Sequence, residues 1–352
     1  MKQSRIINIA AFPPTSGFNP YYDLFYGALS SFDFLKVESD NLTSDWLEKN
    51  KNNVDIIHFN WVISYYNSAS FLICIKKAFL FLSLVNDAKK MGIKVVFTCH
   101  NLFPHESRSR IIDFLVRFGL MRLSDEVIVH SNAAKYKIAK YFLRFTNVNV
   151  VAHGNYVGAY DNNCSKSEAR QKYSLNADNQ VFLFFGSLQE YKGVLELIHA
   201  FKQVKSETAR LILAGKASDP EFGKKISEIA TIDDRILLIN QYVPDQDIQY
   251  LFNASDMVVL PFRKILTSGS LLLAYSFGKP VLIPHSQALD LYCDETVTSF
   301  IEGELVTTLE KKLVNIKNNE LPSKEFVLNW VDRFSWPSLL NSLALKLRVM
   351  FE

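Results

Sequence analysis

The stretch "VVFTCHNLFPHESR" (residues 95–108) begins as an apolar, β-branched run fit for a buried strand, then breaks into two histidines, an asparagine, a proline and a glutamate. A strand that only fills a core has no use for that ending. One that borders a ligand cleft does, because parallel α/β sheets bind ligands outside the carboxyl ends of their strands. The same form recurs through the first half of the chain, where "RIINIAA" (5–11), "VDIIHF" (54–59), "KVVFT" (94–98), "EVIVH" (126–130) and "VNVVAH" (148–153) alternate with helical patterns. The second half starts the series again with "VFLFFG" (181–186), "RLILAG" (210–215), "RILLIN" (235–240), "DMVVLP" (256–261) and "PVLIP" (280–284). Two doubly wound, parallel-sheet α/β domains of Rossmann-like type, facing each other across a cleft, are the expected fold. Between the two series, residues 153–180 are rich in Asn, Ser and Gly and read as a surface connection, with the boundary near residue 165.

A chain of 352 residues with 48% hydrophobic content has material for more than one core. Its four cysteines (Cys74, Cys99, Cys164, Cys293) form no CxxC pair and no zinc spacing, so they read as reduced, packed thiols of a cytoplasmic protein. Cys99 and His100 are adjacent on a strand and point to opposite faces, which argues against a Cys/His nucleophile. "IINIAAF" (6–12) is too short for a secretory signal and runs into two prolines, and "FLICIKKAFLFLSLV" (71–85) is too short and too charged to span a bilayer. The net charge of +3 is unevenly divided: residues 1–160 carry 18 Lys/Arg against 12 Asp/Glu, and residues 161–352 carry 21 against 24. The basic half suggests an anionic partner, and in the absence of nucleic-acid-reading motifs an anionic membrane surface is expected rather than nucleic acid.

Five of the seven histidines (His58, His100, His105, His130, His153) fall at or just beyond strand ends of the first half. They lie on separate loops without HxxxH or HExxH spacing, so no metal site is expected. His100, His105 and Glu106 are the candidates for chemistry, although Glu106 could equally cap the helix that begins near Ser109. Asn19 and Tyr21 after the first strand, Asn60 and Trp61 after the second, and His130 after the fourth are candidates to line the same cleft. Ser131 reads as a helix N-cap. In the second half, "FFGSLQEYKGVLELIHAF" (184–201) runs from strand through turn to helix and offers Gly186, Ser187, Lys192 and Gly193 to an anion. "LPFRKILTSGSLLLAYSFGKPVLIP" (260–284) repeats the device with Arg263, Lys264, Ser268, Gly269 and Ser270.

With these segments, "FNPYYDLFYGAL", "VAHGNY", "YVPDQDIQYLFNASDMVVLPF" and the closing "FSWPSLLNSLALKL" in order, the chain resembles bacterial nucleotide-sugar-dependent glycosyltransferases of the GT-B fold. The resemblance is to the family 4 type and, within it, to exopolysaccharide mannosyltransferases of the GumI type. It implies an acceptor-binding domain over 1–165, a donor-binding domain over 166–333, and a closing helix over 334–352 that crosses back to the first domain. It also implies that Tyr242 and Val243 join the donor site and that His100 matches a histidine lining the donor sugar. Two departures stand out: the E-x7-E positions of retaining members hold Ile265 and Leu273, and Gln189 precedes Lys192 where relatives often have arginine.

The expected activity is sugar transfer from a nucleoside diphosphate, with GDP-mannose favoured, to a lipid-linked oligosaccharide in surface polysaccharide synthesis at the inner face of the membrane. Lys192 and helix-start amides would offset the leaving diphosphate without a metal cofactor, and Glu106, then His105, is the candidate base if the reaction inverts. The alternatives are an inactive nucleotide-sugar-binding scaffold, favoured by the missing acid pair, and a UDP-sugar 2-epimerase.

Overall fold

A computed structural model describes residues 5–14, 19–103, 109–263 and 265–352. They form two units, one of residues 1–154 with 334–352 and one of residues 155–333.

The first unit alternates strand and helix as its hydrophobic pattern dictates: β1 (Ile7–Phe12), α1 (Tyr21–Ser30), β2 (Leu35–Ser39), α2 (Ser44–Asn50), β3 (Ile56–Phe59), α3 (Phe71–Lys90), β4 (Lys94–Thr98), α4 (Arg110–Leu123), β5 (Glu126–Val129), α5 (Asn132–Phe142) and β6 (Val148–Val150). All pairs are parallel, in the order β2-β1-β3-β4-β5-β6. The inner strands β3, β4 and β5 are covered on both faces, which is why they read as near-continuous apolar runs. Strand order reverses between β1 and β3, the place where such a sheet opens a crevice for ligand.

The second unit comprises α6 (Lys166–Lys172), β7 (Gln180–Phe185), α7 (Val194–Gln203), β8 (Ala209–Ala214), α8 (Pro220–Ala230), β9 (Ile236–Ile239), α9 (Asp245–Ala254), β10 (Met257–Val259), α10 (Gly269–Ser276), β11 (Val281–Ile283), β12 (Thr298–Phe300), α11 (Leu305–Lys317) and α12 (Lys324–Val331). Its parallel order is β12-β11-β10-β7-β8-β9, so the reversal lies between β7 and β10.

Two strands escaped the sequence reading. β2 ("LKVES") and β12 ("TSF") are short edge strands with one apolar neighbour each, and they lack the doubly buried pattern of the inner ones. The boundary also differs from the expected residue 165. Asn155 donates to the Val331 carbonyl (3.0 Å), the Tyr156 amide to Ser276 Oγ (2.8 Å), and the amides of Asn163 and Cys164 both to Gln249 Oε1 (3.1 Å). The polar connection is therefore bonded into the second unit, and the division falls after Gly154.

The last helix, α13 (Trp336–Val349), completes the core of the first unit. Leu340, Leu343, Ala344 and Leu347 pack with Tyr22, Phe25, Tyr26 and Leu29 of α1 and with Ile7 and Ile9 of β1. Lys346 bridges Glu126 and Asn149, each at 2.9 Å. Trp336 stands edge-on to Tyr21 (5.2 Å between ring centres) and lies flat against Gly154, where a β-carbon would come within 2.3 Å of the indole.

Replacing Trp336 by Ala should cost about 3–5 kcal/mol, the usual penalty for deleting a buried aromatic side chain. Gly154→Val should destabilise by steric overlap with the same ring. Thermal or urea unfolding that leaves both variants as stable as the parent would contradict this packing.

Candidate functional site

In the second unit the chain after β7 and the chain after β10 meet at the reversal point of the sheet. Gly186 ends β7 with φ +131°, its amide bonded to the Ala214 carbonyl (3.0 Å). Gly215 lies against it so closely that a β-carbon there would stand 2.0 Å from the Gly186 carbonyl oxygen. Gly193 takes φ +72° as N-cap of α7, and a β-carbon would stand 2.1 Å from the Pro261 carbonyl oxygen. The Arg263 amide donates to the Tyr191 carbonyl (3.0 Å), which ties the two loops together. At Gly215 and Gly193 only glycine permits both the backbone angle and the approach.

Lys192 and Ser270 come together over Gly186 as a result. A β-carbon on Gly186 would be 3.0 Å from Ser270 Oγ and 3.4 Å from Lys192 Nζ, and that ammonium is 3.4 Å from Ser187 Oγ. Lys192 has no carboxylate partner among the described residues. Burial lowers its pKa to about 8, as expected for an ammonium held out of water without a counter-ion. No side chain caps the start of α7, and the Ser268 hydroxyl at the start of α10 accepts only from Leu271 (3.1 Å), so the first amides of both helices are unspent. A lysine, two hydroxyls and two helix starts around a bare Cα suit an anion with several oxygens.

Other donor-side candidates take different parts. Ser268 caps α10, its hydroxyl oxygen accepting from the Leu271 amide. Arg263 is neutralised by an ion pair with Glu196. Val243 is buried, whereas Tyr242 is half exposed with its hydroxyl 3.3 Å from Asp245. Gly269 lies against the Tyr156 phenol, which a β-carbon would approach to 2.9 Å. Asp245, Gln246 and Asp247 form the first turn of α9, and Asp247 is paired with Lys172. Lys264 lies outside the described residues, as do His105 and Glu106.

In the first unit the strand-end residues also converge. The Asn60 amide donates to the Phe12 carbonyl (2.9 Å), joining the ends of β3 and β1 at that sheet's reversal point. Asn19 accepts from the Tyr21 amide (3.0 Å) and so starts α1. The buried Tyr21 ring contacts Trp61, His100, His130 and His153, with ring centres 4.8–5.8 Å apart. Trp61 stacks on His100 at 4.4 Å with planes 9° apart.

A chain of hydrogen bonds runs beneath that stack. It passes from the Val151 carbonyl through His130 (2.9 Å), His100 (3.2 Å), the Asn60 side-chain amide (3.0 Å), the Tyr26 hydroxyl (2.7 Å) and His58 (2.7 Å) to Thr98 (2.8 Å). Burial lowers the pKa of His130 to about 4 and of His58 and His153 to about 3, and holds His100 well below its ordinary value. All four are neutral at pH 7. A carbonyl only accepts, so His130 Nδ1 carries the proton, Nε2 accepts from His100 Nδ1, and His100 Nε2 must accept in turn. That proton count favours the Asn60 orientation whose NH2 group faces His100. Both nitrogens of His100 are thus engaged within the unit, an arrangement that suits positioning Trp61 rather than proton transfer. Sequence reasoning located these histidines but had no means of seeing that they bond to one another.

Sequence models of two families match the chain in succession: "Glycosyltransferase Family 4" over residues 41–154 and "Glycosyl transferases group 1" over residues 179–316. One match falls within each unit. With the two parallel sheets, they identify the chain as a nucleotide-sugar glycosyltransferase of the GT-B fold. A curated relative, the GDP-mannose:glycolipid 4-beta-D-mannosyltransferase of Xanthomonas campestris pv. campestris, is 26% identical over 302 residues, covering 84% of this chain and 79% of its own. Among solved structures, Anabaena HepE in complex with UDP-glucose aligns with a TM-score of 0.76 at 17% identity, covering 98% of this chain and 100% of its own. Sucrose-phosphate synthase of Thermosynechococcus elongatus aligns with a TM-score of 0.73 at 15% identity, covering 98% and 99%.

Two pH responses follow from these environments. The histidines of the first unit titrate below their unfolded value of about 6.5, so the unfolded chain binds more protons as pH falls through that value and stability should decline. Urea midpoints that do not move between pH 7.5 and pH 5.5 would contradict the buried chain. For Lys192 the sign is opposite in effect: an anion holds the proton on, and above about pH 8 the free protein loses it. Affinity for GDP or UDP should fall towards tenfold per pH unit beyond that point, and Lys192→Ala should remove that component of the pH dependence when binding is followed by calorimetry.

Proposed function

We propose that the protein transfers mannose from GDP-mannose to a lipid-linked saccharide at the cytoplasmic face of the membrane, in surface polysaccharide synthesis and without a metal cofactor. The observation that carries the reading is the convergence of Lys192, Ser187 and Ser270 on Gly186, where a nucleoside diphosphate would place its phosphates. Mannose, GDP and a glycolipid acceptor are favoured by the name of the Xanthomonas relative.

Departure of the diphosphate leaves negative charge on its oxygens. In this reading the Lys192 ammonium and the first amides of α7 and α10 meet that charge as it develops, so little reorganisation is needed during reaction. The relative's name specifies a β-mannoside, whereas nucleoside-diphosphate mannose is α-linked. The same outcome here requires inversion and therefore a base for the attacking hydroxyl. Glu106 is the first choice and His105 the second; His100 acts as a positioning residue. Inversion also accords with Ile265 and Leu273 standing where retaining relatives carry carboxylates, since a single displacement does not depend on that pair.

The lipid-linked acceptor is supported by the surface of the first unit. α3 exposes Phe71, Leu72 and Phe79, at 55%, 76% and 73% of their full area, and α4 exposes Ile111 and Leu115. Lys76, Lys77 and Arg110 lie on the same two helices. No described helix is long and apolar enough to cross a membrane, and an apolar face bordered by cations suits the surface of an anionic leaflet.

Labelled mannose should pass from GDP-mannose to extracted lipid-linked acceptors, and Lys192→Ala should lower kcat/KM by about a hundredfold, the scale of losing one preorganised electrostatic contact. Transfer from UDP-sugars alone would refute the donor, and an unimpaired Lys192→Ala would refute the role of the ammonium. The Leu72→Asp/Phe79→Asp variant should lose binding to phosphatidylglycerol vesicles; equal sedimentation of variant and parent would refute the membrane surface.

A further inference from the structure

At the other end of the second unit's sheet, a cavity of about 500 Å³ opens where the strands begin. Gln180, the first residue of β7, lines it, as do Asp256 before β10 and Pro280 before β11. Phe185 is five steps along β7 from Gln180, so the cavity is about 17 Å from the Lys192 cluster along the strand. Lys166, Arg170, Lys279, Lys317 and Lys324 line it against only two carboxylates, Asp178 and Asp256.

The pairings leave this charge unbalanced. Asp256 is shared by Lys166 (2.5 Å) and Arg170 (3.0 Å). Arg170 spends its remaining donors on the carbonyls of Ala254, Asn176, Ala177 and Asn179, so it contributes charge but no spare N–H. Lys279 donates to the Ser255 carbonyl (2.9 Å), and Lys324 to the side-chain oxygens of Asn162 (3.1 Å) and Asn253 (3.4 Å). Among the described residues, neither these two ammoniums nor that of Lys317 has an ion-pair partner. Lys324 also opens α12, where the Ser323 hydroxyl caps only the Phe326 amide (3.1 Å) and leaves the first two amides unspent.

We propose that this cavity is a second anion site, distinct from the donor site, that takes a small phosphate-bearing solute with several negative charges. Its volume is in the range of small-molecule pockets, and three ammoniums without counter-ions beside a helix start match a phosphate or diphosphate group. Lys279 bears the marks of a cation without its anion: burial, followed by repulsion from Lys166 and net of the pull of Asp256, with Lys324 and Arg170 adding to the repulsion, lowers its pKa to about 7. A bound anion would restore its proton.

Calorimetric titration of the full chain with inorganic pyrophosphate tests the proposal, using Lys192→Ala as background to weaken binding at the donor site. One site is expected at pH 7.5, with heats that vary with buffer ionisation enthalpy because binding draws a proton onto Lys279. The exposed pair Lys317→Glu/Lys324→Glu should weaken that binding at least tenfold. Absence of binding, equal affinity in the charge-reversed protein, or binding only to phosphatidylglycerol vesicles and not to pyrophosphate would overturn it.

Discussion

The candidate anion site of the second unit depends on two backbone approaches that only glycine allows. Gly215, just after β8, lies against the Gly186 carbonyl and fixes the end of β7, while Gly193 lies against the Pro261 carbonyl and locks the chain after β7 to the chain after β10, where strand order reverses. Sheet topology sets where a crevice can open. The glycines set what faces it, bringing an ammonium from one loop and a hydroxyl from the other over a residue with no side chain of its own. A methyl group on Gly186 would occupy the space where a phosphate oxygen would lie.

The two units apply one rule of placement to opposite electrostatics. In the first, the reversal between β1 and β3 gathers a neutral wall in which three histidines, Asn60, Tyr26 and Thr98 satisfy one another beneath Tyr21 and Trp61. Such a network carries no charge at pH 7 and offers aromatic faces and fixed dipoles, which suit uncharged sugar hydroxyls. In the second, Lys192 is kept partly covered without a counter-ion, a state that is costly until an anion arrives. The division matches the chemistry of a nucleotide sugar, whose charge lies wholly on its diphosphate.

Most of this was legible in the sequence where burial leaves a strong signature. Ten of the strands announced themselves as apolar runs ended by Gly, Pro, His or Asn, and the Lys192 turn was visible as strand, glycine, lysine and helix in succession. The edge strands β2 and β12 were not, because one-sided pairing imposes little hydrophobic pattern. The unit boundary was misplaced by eleven residues because a polar segment looks like a linker whether or not its amides are bonded. The cap that Ser268 makes to Leu271 and the pair that Arg263 makes with Glu196 depend on neighbours that sequence order does not reveal. For the same reason the His130-His100-Asn60 relay was out of reach, although each of its members had been singled out.

The central claim is that Lys192 and Ser270 grip a diphosphate above Gly186. A crystal structure of the chain with GDP tests it most directly. β-Phosphate oxygens should lie within hydrogen-bond distance of both Lys192 Nζ and Ser270 Oγ, in van der Waals contact with the Gly186 Cα. A nucleotide bound with its phosphates elsewhere, and Lys192 still bare, would contradict it.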